Sequence, residues 1–305
     1  MEEKNIHFDE VVERRNTDCL KYDFAVRRGM PENVLPLWVA DMDFPTSSLI
    51  LDALQERVAH GIFGYTETQD RYFETVAAWL YKHHGMDMKK NWLVKTPGVV
   101  FALAMAVKAY TDPGDTVLIQ QPVYYPFTEV IEDNNRKVVS NDLVLLEYGK
   151  YHIDFEDLES KIVLYGVKLF LFCSPHNPVG RVWTVEELRK IGEICRKHHV
   201  LIVSDEIHED FVFNGYQHTP LLLVDERLQD ICITCTSPAK TFNLAGLQIS
   251  NIVIPNGTLR RAFRKQIAAA GYSQLNTMGI AACEAAYTYG EDWYHALMEY
   301  LEENL

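Results

Sequence analysis

The chain has 305 residues, of which 48% are hydrophobic and 24% are charged. This balance is typical of a folded globular protein and excludes an intrinsically disordered chain. The formal net charge of -14 at pH 7 predicts a surface that repels phosphate backbones and anionic lipid, so we expect neither nucleic acid nor membrane as a partner. The length favours one large α/β domain with an appendage, or two unequal domains.

The sequence also indicates where the protein works. Its apolar runs are shorter than the roughly 20 residues of a membrane span. The start, MEEKNIHFDEVVERRN, is too charged for a signal peptide. The six cysteines are scattered through apolar or helical surroundings, which predicts free thiols and no disulfide framework. Together these features predict a cytoplasmic protein.

Cys232 and Cys235 form a CxxC pair, a spacing found in metal and redox sites. They lie in the segment ICITC, whose β-branched residues favour a strand. Residues three apart on a strand point to opposite faces of the sheet. We therefore predict a buried strand here and no metal site.

In chain order, the first 45 residues differ from the rest. The stretch RRGMPENVLPLWVADMDFP contains three prolines and little periodicity. This pattern predicts an extended arm that lies over another part of the protein and lines a site. We assign residues 1–45 to this arm and to part of a small domain.

From residue 46 onward, short apolar runs alternate with longer helical periods, as in βα units that build a sheet covered by helices. Several runs are apolar throughout, which is typical of buried parallel strands. The clearest strands are predicted at 117–120, 168–173, 200–204, 231–235 and 249–254, and the clearest helices at 99–110 and 184–198. Thr184 and Glu187 form a capping box at the start of the second helix. We assign residues 46–288 to one large domain.

Residues 291–305 have apolar side chains at helical spacing and stop without a glycine cap or a following proline. We therefore expect a chain cut within a helix, with residues 289–305 as the start of a C-terminal small domain that is missing. Apolar surface around residues 35–39 and on the helix of Trp293 is then expected to be uncovered.

Ligands of open α/β sheets bind beyond the carboxyl ends of the strands, so the residues after each strand are candidates for a site. Gly98 precedes a helical run that starts with Val99 and Val100, and the free N–H groups of a helix start bind phosphate. Tyr124 follows the strand at 117–120 and offers a ring for stacking. Taken singly, an ordinary helix cap and a core or surface tyrosine explain these residues as well.

Three further strand ends carry polar or charged side chains. The turn SPHNPVG holds the amide of Asn177 in one place, although asparagine before proline is also common in plain turns. Asp205 ends a buried strand and needs a cation or a donor there, unless it only caps the next helix. Lys240 follows ICITC, and it is either a solvated lysine or an amine in a cleft that forms a Schiff base with a carbonyl.

Jointly, these segments supply a phosphate site, an aromatic platform, an amide donor, a buried acid and a lysine. Pyridoxal 5'-phosphate requires this set: the lysine for its aldehyde, the acid for its pyridine nitrogen, a donor for its phenolate oxygen and an anion pocket for its phosphate. We therefore predict pyridoxal 5'-phosphate as the cofactor.

The same segments carry a family resemblance over nearly the whole chain. The chain resembles the fold type I pyridoxal phosphate enzymes of the aminotransferase superfamily, class I/II, and within it the cystathionine β-lyase branch of MalY, PatB and cystalysin. The closer resemblance is carried by LPLWVADMDFP, GIFGYTE, KTPGVVFALAMA, QPVYYPF, FCSPHNPVGRVWT, VSDEIHEDFVF and SPAKTFNLAGLQ. It implies a three-layer α/β/α large domain with a mostly parallel mixed sheet, plus an incomplete small domain.

The resemblance also implies a role for each site residue. Lys240 would hold the cofactor as a Schiff base, Asp205 would pair with the pyridinium nitrogen, and Tyr124 would stack on the ring. Asn177 would donate to the phenolate oxygen. The phosphate would be bound by Gly98, Val99, Val100 and Ser237. Tyr65 would reach the cofactor phosphate of the neighbouring subunit, which implies an obligate homodimer with shared active sites.

Two positions depart from the general aminotransferase pattern. His208, which we count among the cofactor-binding residues, stands where tyrosine is usual, but it fits the lyase branch. Gln248 stands eight residues after Lys240, where many aminotransferases place a phosphate-binding arginine. The missing positive charge disfavours a plain aminotransferase.

The resemblance therefore predicts a carbon–sulfur β-lyase that converts cystathionine or a cysteine-like amino acid to a thiol, pyruvate and ammonia. An aminotransferase, which shares the first steps, is the alternative. An alternative of another class is a cofactor-binding regulatory protein that acts on a transcription regulator.

No arginine follows Arg264, and the family's carboxylate-binding arginine would lie in the missing part, so we expect the 305 residues alone to be incompetent for normal turnover.

Overall fold

The structure is a computed structural model of the chain and describes residues 6–146 and 149–305. The helices of these residues are α1 (Ser48–His60), α2 (Asp70–His84), α3 (Val99–Tyr110), α4 (Pro126–Glu132), α5 (Phe155–Tyr165), α6 (Val185–Lys197), α7 (Leu221–Val224), α8 (Pro238–Thr241), α9 (Gly257–Ala269), α10 (Thr277–Tyr289) and α11 (Glu291–Glu303). Across the described ranges, no helix has the length and apolar run needed to span a membrane.

The strands form one large mixed sheet and one small hairpin. Their bounds are β1 (Leu93–Thr96), β2 (Thr116–Ile119), β3 (Lys137–Ser140), β4 (Val144–Leu145), β5 (Tyr151–His152), β6 (Leu169–Cys173), β7 (Leu201–Asp205), β8 (Cys232–Thr236) and β9 (Ser250–Val253). The order in the large sheet is β1-β9-β8-β7-β6-β2-β3, and β4 pairs with β5. In the large sheet β9 runs antiparallel to both of its neighbours, whereas the remaining pairs are parallel.

The predicted elements agree closely with this architecture. The five predicted strands are β2, β6, β7, β8 and β9, each displaced by at most one residue at either end, and the predicted helix at 99–110 is α3. The capping box of α6 is present: Glu187 N–H donates to Thr184 Oγ1, and Thr184 N–H donates to the Glu187 carboxylate. The local sequence pattern was therefore enough to predict the ends of these strands and helices to within one residue.

Two hydrophobic cores cover the two faces of the sheet and complete three layers. Helices α3, α4 and α9 pack on one face, and α1, α2, α5, α6, α10 and α11 pack on the other. Cys232 belongs to the second core and Cys235 to the first, and both thiols are free and fully buried. Burial raises the pKa of both thiols well above the usual value. The strand prediction for the CxxC pair is confirmed, as is the three-layer α/β fold.

The segment before α1 is tied together by internal ion pairs and packs against α11 through aromatic contacts. Arg14 bonds Asp41 at 2.6 Å and Asp43 at 2.7 Å. The Phe8 ring packs edge-on against Trp293 of α11, with ring centroids 5.7 Å apart. Trp293 is consequently only 3% exposed, so the expectation of an uncovered Trp293 helix is wrong. Leu37, in contrast, is 90% exposed, as expected. The proposed domain bounds stay predictions.

Candidate active site

A cleft opens where the parallel strands end. In the sheet register Cys173 pairs with Asp205, and Asp205 pairs with Cys235, so the ends of β6, β7 and β8 are level. The cleft has a volume of about 490 Å³, which lies within the range of small-molecule and cofactor sites. Nine of the ten predicted site residues line it: Gly98, Val99, Val100, Tyr124, Asn177, Asp205, His208, Ser237 and Lys240. The tenth, Tyr65, lies on the surface with 98% of its area exposed.

Lys240 lies in α8, immediately after β8, and points toward the N-terminal segment. Its Nζ donates to the carbonyl oxygen of Ala40 at 3.4 Å. Burial lowers the pKa of Lys240, and the negative charges of Asp41 and Asp205 oppose this effect only in part. A lysine with a lowered pKa reaches its neutral, nucleophilic form more readily than an exposed one.

Asp205 is a buried carboxyl at the end of β7. Its Oδ1 accepts a hydrogen bond from Ile207 N–H at 3.1 Å, so the turn-capping contact considered from sequence exists. That single bond does not offset the loss of water: burial raises the pKa of Asp205 to about 7, despite this bond and the charge of Lys240. The cleft thus holds an acid that a cationic ring nitrogen would stabilise, which fits pyridoxal phosphate.

Tyr124 and Asn177 lie on neighbouring loops that are tied together. Tyr124 N–H donates to the carbonyl oxygen of Asn177 at 3.1 Å. His176 Nε2 bonds the carbonyl oxygen of Pro122 at 3.0 Å, which joins the same two loops a second time. Tyr124 is 38% exposed and forms part of the cleft wall, where its ring can stack on a flat ring.

The start of α3 forms the predicted phosphate end of the cleft. Gly98 is the N-cap, and the N–H groups of Val99 and Val100 belong to the first turn, where a helix offers them no acceptor. Ser237 contributes less than expected in this structure. Its hydroxyl donates to the carbonyl oxygen of Ile249 at 2.7 Å, so its one proton is already engaged. A phosphate contact from Ser237 stays a prediction that requires the hydroxyl to rotate.

The cleft carries little positive charge. Among the described residues that line it, Lys240 is the one lysine or arginine. Gln248 lies in the cleft wall. It stands at the position where, by the family resemblance, many aminotransferases have a phosphate-binding arginine. Burial, and to a lesser degree the charge of Lys240, lowers the pKa of His208 to about 4. His208 is therefore a neutral imidazole at pH 7, with one nitrogen that donates a hydrogen bond and one that accepts.

Sequence reasoning missed the residue that fastens the N-terminal segment over the cleft. Residues 37–40 line the cleft wall. Asn243 holds the segment just after them: its Oδ1 accepts from Met42 N–H at 3.0 Å, and its Nδ2 donates to the carbonyl oxygens of Met42 and Phe44 at 3.0 and 2.9 Å. Asn243 itself has a φ of 55°, in the left-handed region that asparagine tolerates best among residues other than glycine. We name these three hydrogen bonds the Asn243 clasp.

We expect Asn243→Asp to break the hydrogen bonds of the Asn243 clasp, although the aspartate side chain has nearly the same shape as asparagine. The carboxylate loses both Nδ2 donor bonds and faces two carbonyl oxygens, so amide hydrogen exchange in residues 37–44 should speed up by about tenfold or more. The matched control is Asn256→Asp, which changes the charge equally but keeps the oxygen that caps α9. Unchanged protection of residues 37–44 in Asn243→Asp would show that the clasp holds nothing.

A buried polar cluster that the sequence did not indicate lies behind Asp205. Glu206, Glu209 and His218 each place one potential ligand atom within 4.8 Å of the others. Glu206 is already bonded, since Oε1 accepts from Ser204 Oγ and Leu221 N–H and Oε2 lies 3.1 Å from His218 Nε2. Burial raises the pKa of Glu209 well above the usual value, and the nearby charges of Asp210, Glu206 and Asp205 act in the same direction. Hydrogen bonds thus occupy the Glu206 carboxylate, whereas Glu209 Oε2 is buried without a hydrogen-bond partner among the described residues.

The fold and the cleft define an α/β enzyme, and comparison with known proteins identifies its class. The model of the family "Aminotransferase class I and II" matches residues 32–304. The chain belongs to this family, as the sequence resemblance predicted.

Among its relatives, cystathionine beta-lyase PatB of Bacillus subtilis is 44% identical over 98% of this chain and 77% of PatB. Protein MalY of Escherichia coli is 32% identical over 98% of this chain and 76% of MalY. The crystal structure of cystalysin from Treponema denticola, which contains a pyridoxal 5'-phosphate cofactor, matches with a TM-score of 0.92 and 38% identity, covering 97% of this chain and 75% of that one. The predicted resemblance to this branch is confirmed.

Proposed function

We propose that this protein is a pyridoxal phosphate-dependent carbon–sulfur β-lyase that cleaves cystathionine or a similar cysteine-derived amino acid. The observation that carries the proposal is the convergence of Lys240, Asp205, Asn177 and Tyr124 on one cleft, in a chain 44% identical to a cystathionine beta-lyase. No single one of these residues would be enough, because each has an ordinary structural role elsewhere in proteins.

The residues of the cleft would hold the cofactor at separate points. Lys240 would bind its aldehyde, Asp205 would face its ring nitrogen, and Asn177 would donate to its phenolate oxygen. Tyr124 would cover one face of its ring, and the first turn of α3 would receive its phosphate. When bound, pyridoxal phosphate supplies an aldehyde that forms imines with amines and a protonated ring that withdraws electrons from the substrate Cα.

Lys240 would have a second role as a general base once its amine is free. Its freed amine removes the Cα proton, and the lowered pKa of Lys240 favours the neutral form that does this. In the overall reaction the Cβ–S bond of the substrate breaks, and the Lys240 ammonium would supply the proton with which the sulfur leaves as a thiol. With one water consumed, the remaining carbon skeleton is released as pyruvate and the amine as ammonia.

An aminotransferase is the second candidate, since the family description names that activity and proton removal by Lys240 begins both reactions. The lyase is favoured by the sparse positive charge of the cleft. Gln248 is neutral, and the imidazole of His208, with a pKa of about 4, is neutral as well. This cleft would therefore place fewer positive charges near the cofactor than a cleft with an arginine at the position of Gln248.

The identity of the products separates the candidates. We expect the protein loaded with cofactor to release pyruvate and thiol in equal amounts from cystathionine, with no requirement for a keto acid. The ratio of the products decides the question whatever the absolute rate. Keto-acid-dependent transfer of the amine without thiol release would make the protein an aminotransferase, and cofactor binding without either product would favour a regulatory protein.

We further propose a cytoplasmic homodimer with shared active sites, in which Tyr65 of each subunit reaches the cofactor phosphate of the other. Support comes from the position of Tyr65, which is outside the cleft of its own chain and almost fully exposed. Ile62 and Phe63 beside it are also exposed apolar side chains, as expected of a surface that another subunit covers. The six cysteines are free and buried, which suits a reducing compartment.

A further inference from the structure

Lys240 lies in α8, a helix of one turn that depends on outside support. A single turn gains few hydrogen bonds for the chain entropy it loses, so it is not stable alone. Ser237 fixes its start, where Oγ accepts from Ala239 N–H at 3.0 Å. Thr241 fixes its end: it is fully buried, and its hydroxyl donates to Asp210 Oδ2 at 2.5 Å. The backbone of Lys240 lies directly between these two supports.

Asp210 is itself held from α2. Its Oδ1 lies 2.8 Å from His84 Nε2 and 3.3 Å from Trp79 Nε1, and both nitrogens donate to it. Asp210 is only 3% exposed, so these bonds are not exchanged for bonds to water. Burial acts to raise the pKa of Asp210, but the hydrogen bond and the charge of His84 outweigh it, and the pKa lies below its usual value. An ionised Asp210 is a strong and stationary acceptor for Thr241.

The contacts from His84 through Asp210 to Thr241 lie in the core next to the cleft, and they are not part of the cleft wall. Neither Thr241, Asp210 nor His84 is among the described residues that line the cleft. Thr241 is nonetheless covalently joined to Lys240, so any shift of Thr241 shifts the start of the lysine side chain. A misplacement of about 1 Å at a reacting group costs on the order of a hundredfold in rate, which makes such a support functionally important.

We propose that Thr241 and Asp210, with His84 behind them, are positioning residues for Lys240. The inference rests on the proposed function, in which Lys240 binds the cofactor and then acts as the base. The hydrogen bond from Thr241 to Asp210 sets the direction in which the lysine stem enters the cleft.

The test compares Thr241→Val, which keeps the shape but removes the hydroxyl, with Thr241→Ser, which keeps the hydroxyl. In protein loaded with pyridoxal phosphate, Thr241→Val should lower kcat by about tenfold or more and leave KM within about twofold. It should also move the midpoint of the pH titration of the visible absorption band by about one pH unit, since the environment of the lysine nitrogen changes. Thr241→Ser should restore both quantities to near the wild-type values.

Thr111→Val is the matched control. Thr111 is also buried, and its hydroxyl donates to the carbonyl oxygen of Val107 at 2.5 Å. It lies at the far end of α3, about 18 Å along the helix from Val99 at the cleft. We expect this variant to lose stability as Thr241→Val does, but to keep the kcat and the absorption midpoint of the wild type.

A measurement on cofactor-free protein keeps the test independent of turnover. Amide hydrogen exchange in residues 237–243 should be faster in Thr241→Val and unchanged in Thr111→Val. His84→Phe, which keeps a ring but removes the donor to Asp210, should move the absorption midpoint in the same direction as Thr241→Val. This second variant decides the matter if Thr241→Val does not fold.

The outcomes also separate this inference from the proposed function. Borohydride treatment of the loaded wild type must fix the cofactor to Lys240. If it does, and Thr241→Val matches the wild type in kcat, midpoint and exchange, the positioning role is refuted while the proposed function stands. Equal losses in Thr241→Val and Thr241→Ser would refute it too, because the hydroxyl would not be the cause. A label on another lysine refutes both proposals.

Discussion

Replacing Lys240 with alanine is expected to remove the yellow colour of the protein loaded with pyridoxal phosphate and to lower cystathionine cleavage by at least about a thousandfold. In the proposed function Lys240 is first the attachment point of the cofactor and then the base for the Cα proton, and general base catalysis alone contributes about 10²–10⁴-fold. The measurements are visible absorption, pyruvate release and the mass of the borohydride-labelled peptide.

Lys108→Ala is the control for Lys240→Ala, because it removes an exposed lysine in the last turn of α3, away from the cleft. It should keep the colour, the label on Lys240 and the activity. A Lys240→Ala protein that still carries a borohydride-fixed cofactor on a different lysine would overturn the assignment of Lys240.

Replacing Asp205 with asparagine is expected to leave cofactor binding largely intact but to lower turnover by about a hundredfold or more. Asparagine keeps an oxygen that can accept from Ile207 N–H, so the local turn is preserved. It cannot hold the pyridine nitrogen of the cofactor protonated, and the withdrawal of electrons from Cα is lost. Near-normal release of pyruvate by Asp205→Asn would reduce Asp205 to a structural cap.

Although Asp205→Asn is expected to lower turnover, we expect it to raise the stability of the cofactor-free protein. With a pKa of about 7 in the fold, the Asp205 carboxyl keeps its proton where an unfolded chain, with a pKa near 4, has lost it. The free energy of unfolding of the wild type therefore falls as pH rises from about 4 to about 7, and then levels off. Asp205→Asn has no such charge to bury, so its melting temperature should exceed that of the wild type by more at pH 8 than at pH 4.5.

Thermal unfolding of the two cofactor-free proteins at these two pH values checks this expectation. A constant difference between them would mean that the fold does not raise the pKa of Asp205. Adding pyridoxal phosphate should narrow the gap at pH 8, because the cofactor ring nitrogen then compensates the buried carboxylate of the wild type.

The order of the site along the chain could be predicted because parallel strands end at one edge of a sheet. The residues directly after each apolar run were enough to place Asn177, Asp205 and Lys240 in one cleft. This inference needs only the period of the pattern and the direction of the strands, both of which are local properties of the sequence.

The parts that escaped prediction depend on contacts between distant segments. The Asn243 clasp joins residues about 200 positions apart, and His84 reaches Asp210 across 126 positions. Periodicity does not encode which asparagine or histidine meets which partner. The covering of Trp293 by Phe8 was missed for the same reason. Ser237 failed differently: its place at the cleft was predicted, but the competing acceptor at Ile249 was not.

The reversed direction of β9 also determines the shape of the loop that carries Lys240, and with it how that loop can vary during evolution. Because β9 is antiparallel to β8, the chain leaves the sheet and re-enters it at the same edge, and it needs no crossover. Residues 237–249 thus form an Ω-shaped loop, closed at its base by the Ser237 hydroxyl on Ile249. Lys240 and Gln248 sit on this one closed loop. Phe242 and Leu244, which lie between these two positions, are buried in the core that contains Cys232, so insertions between Lys240 and Gln248 would disturb that core.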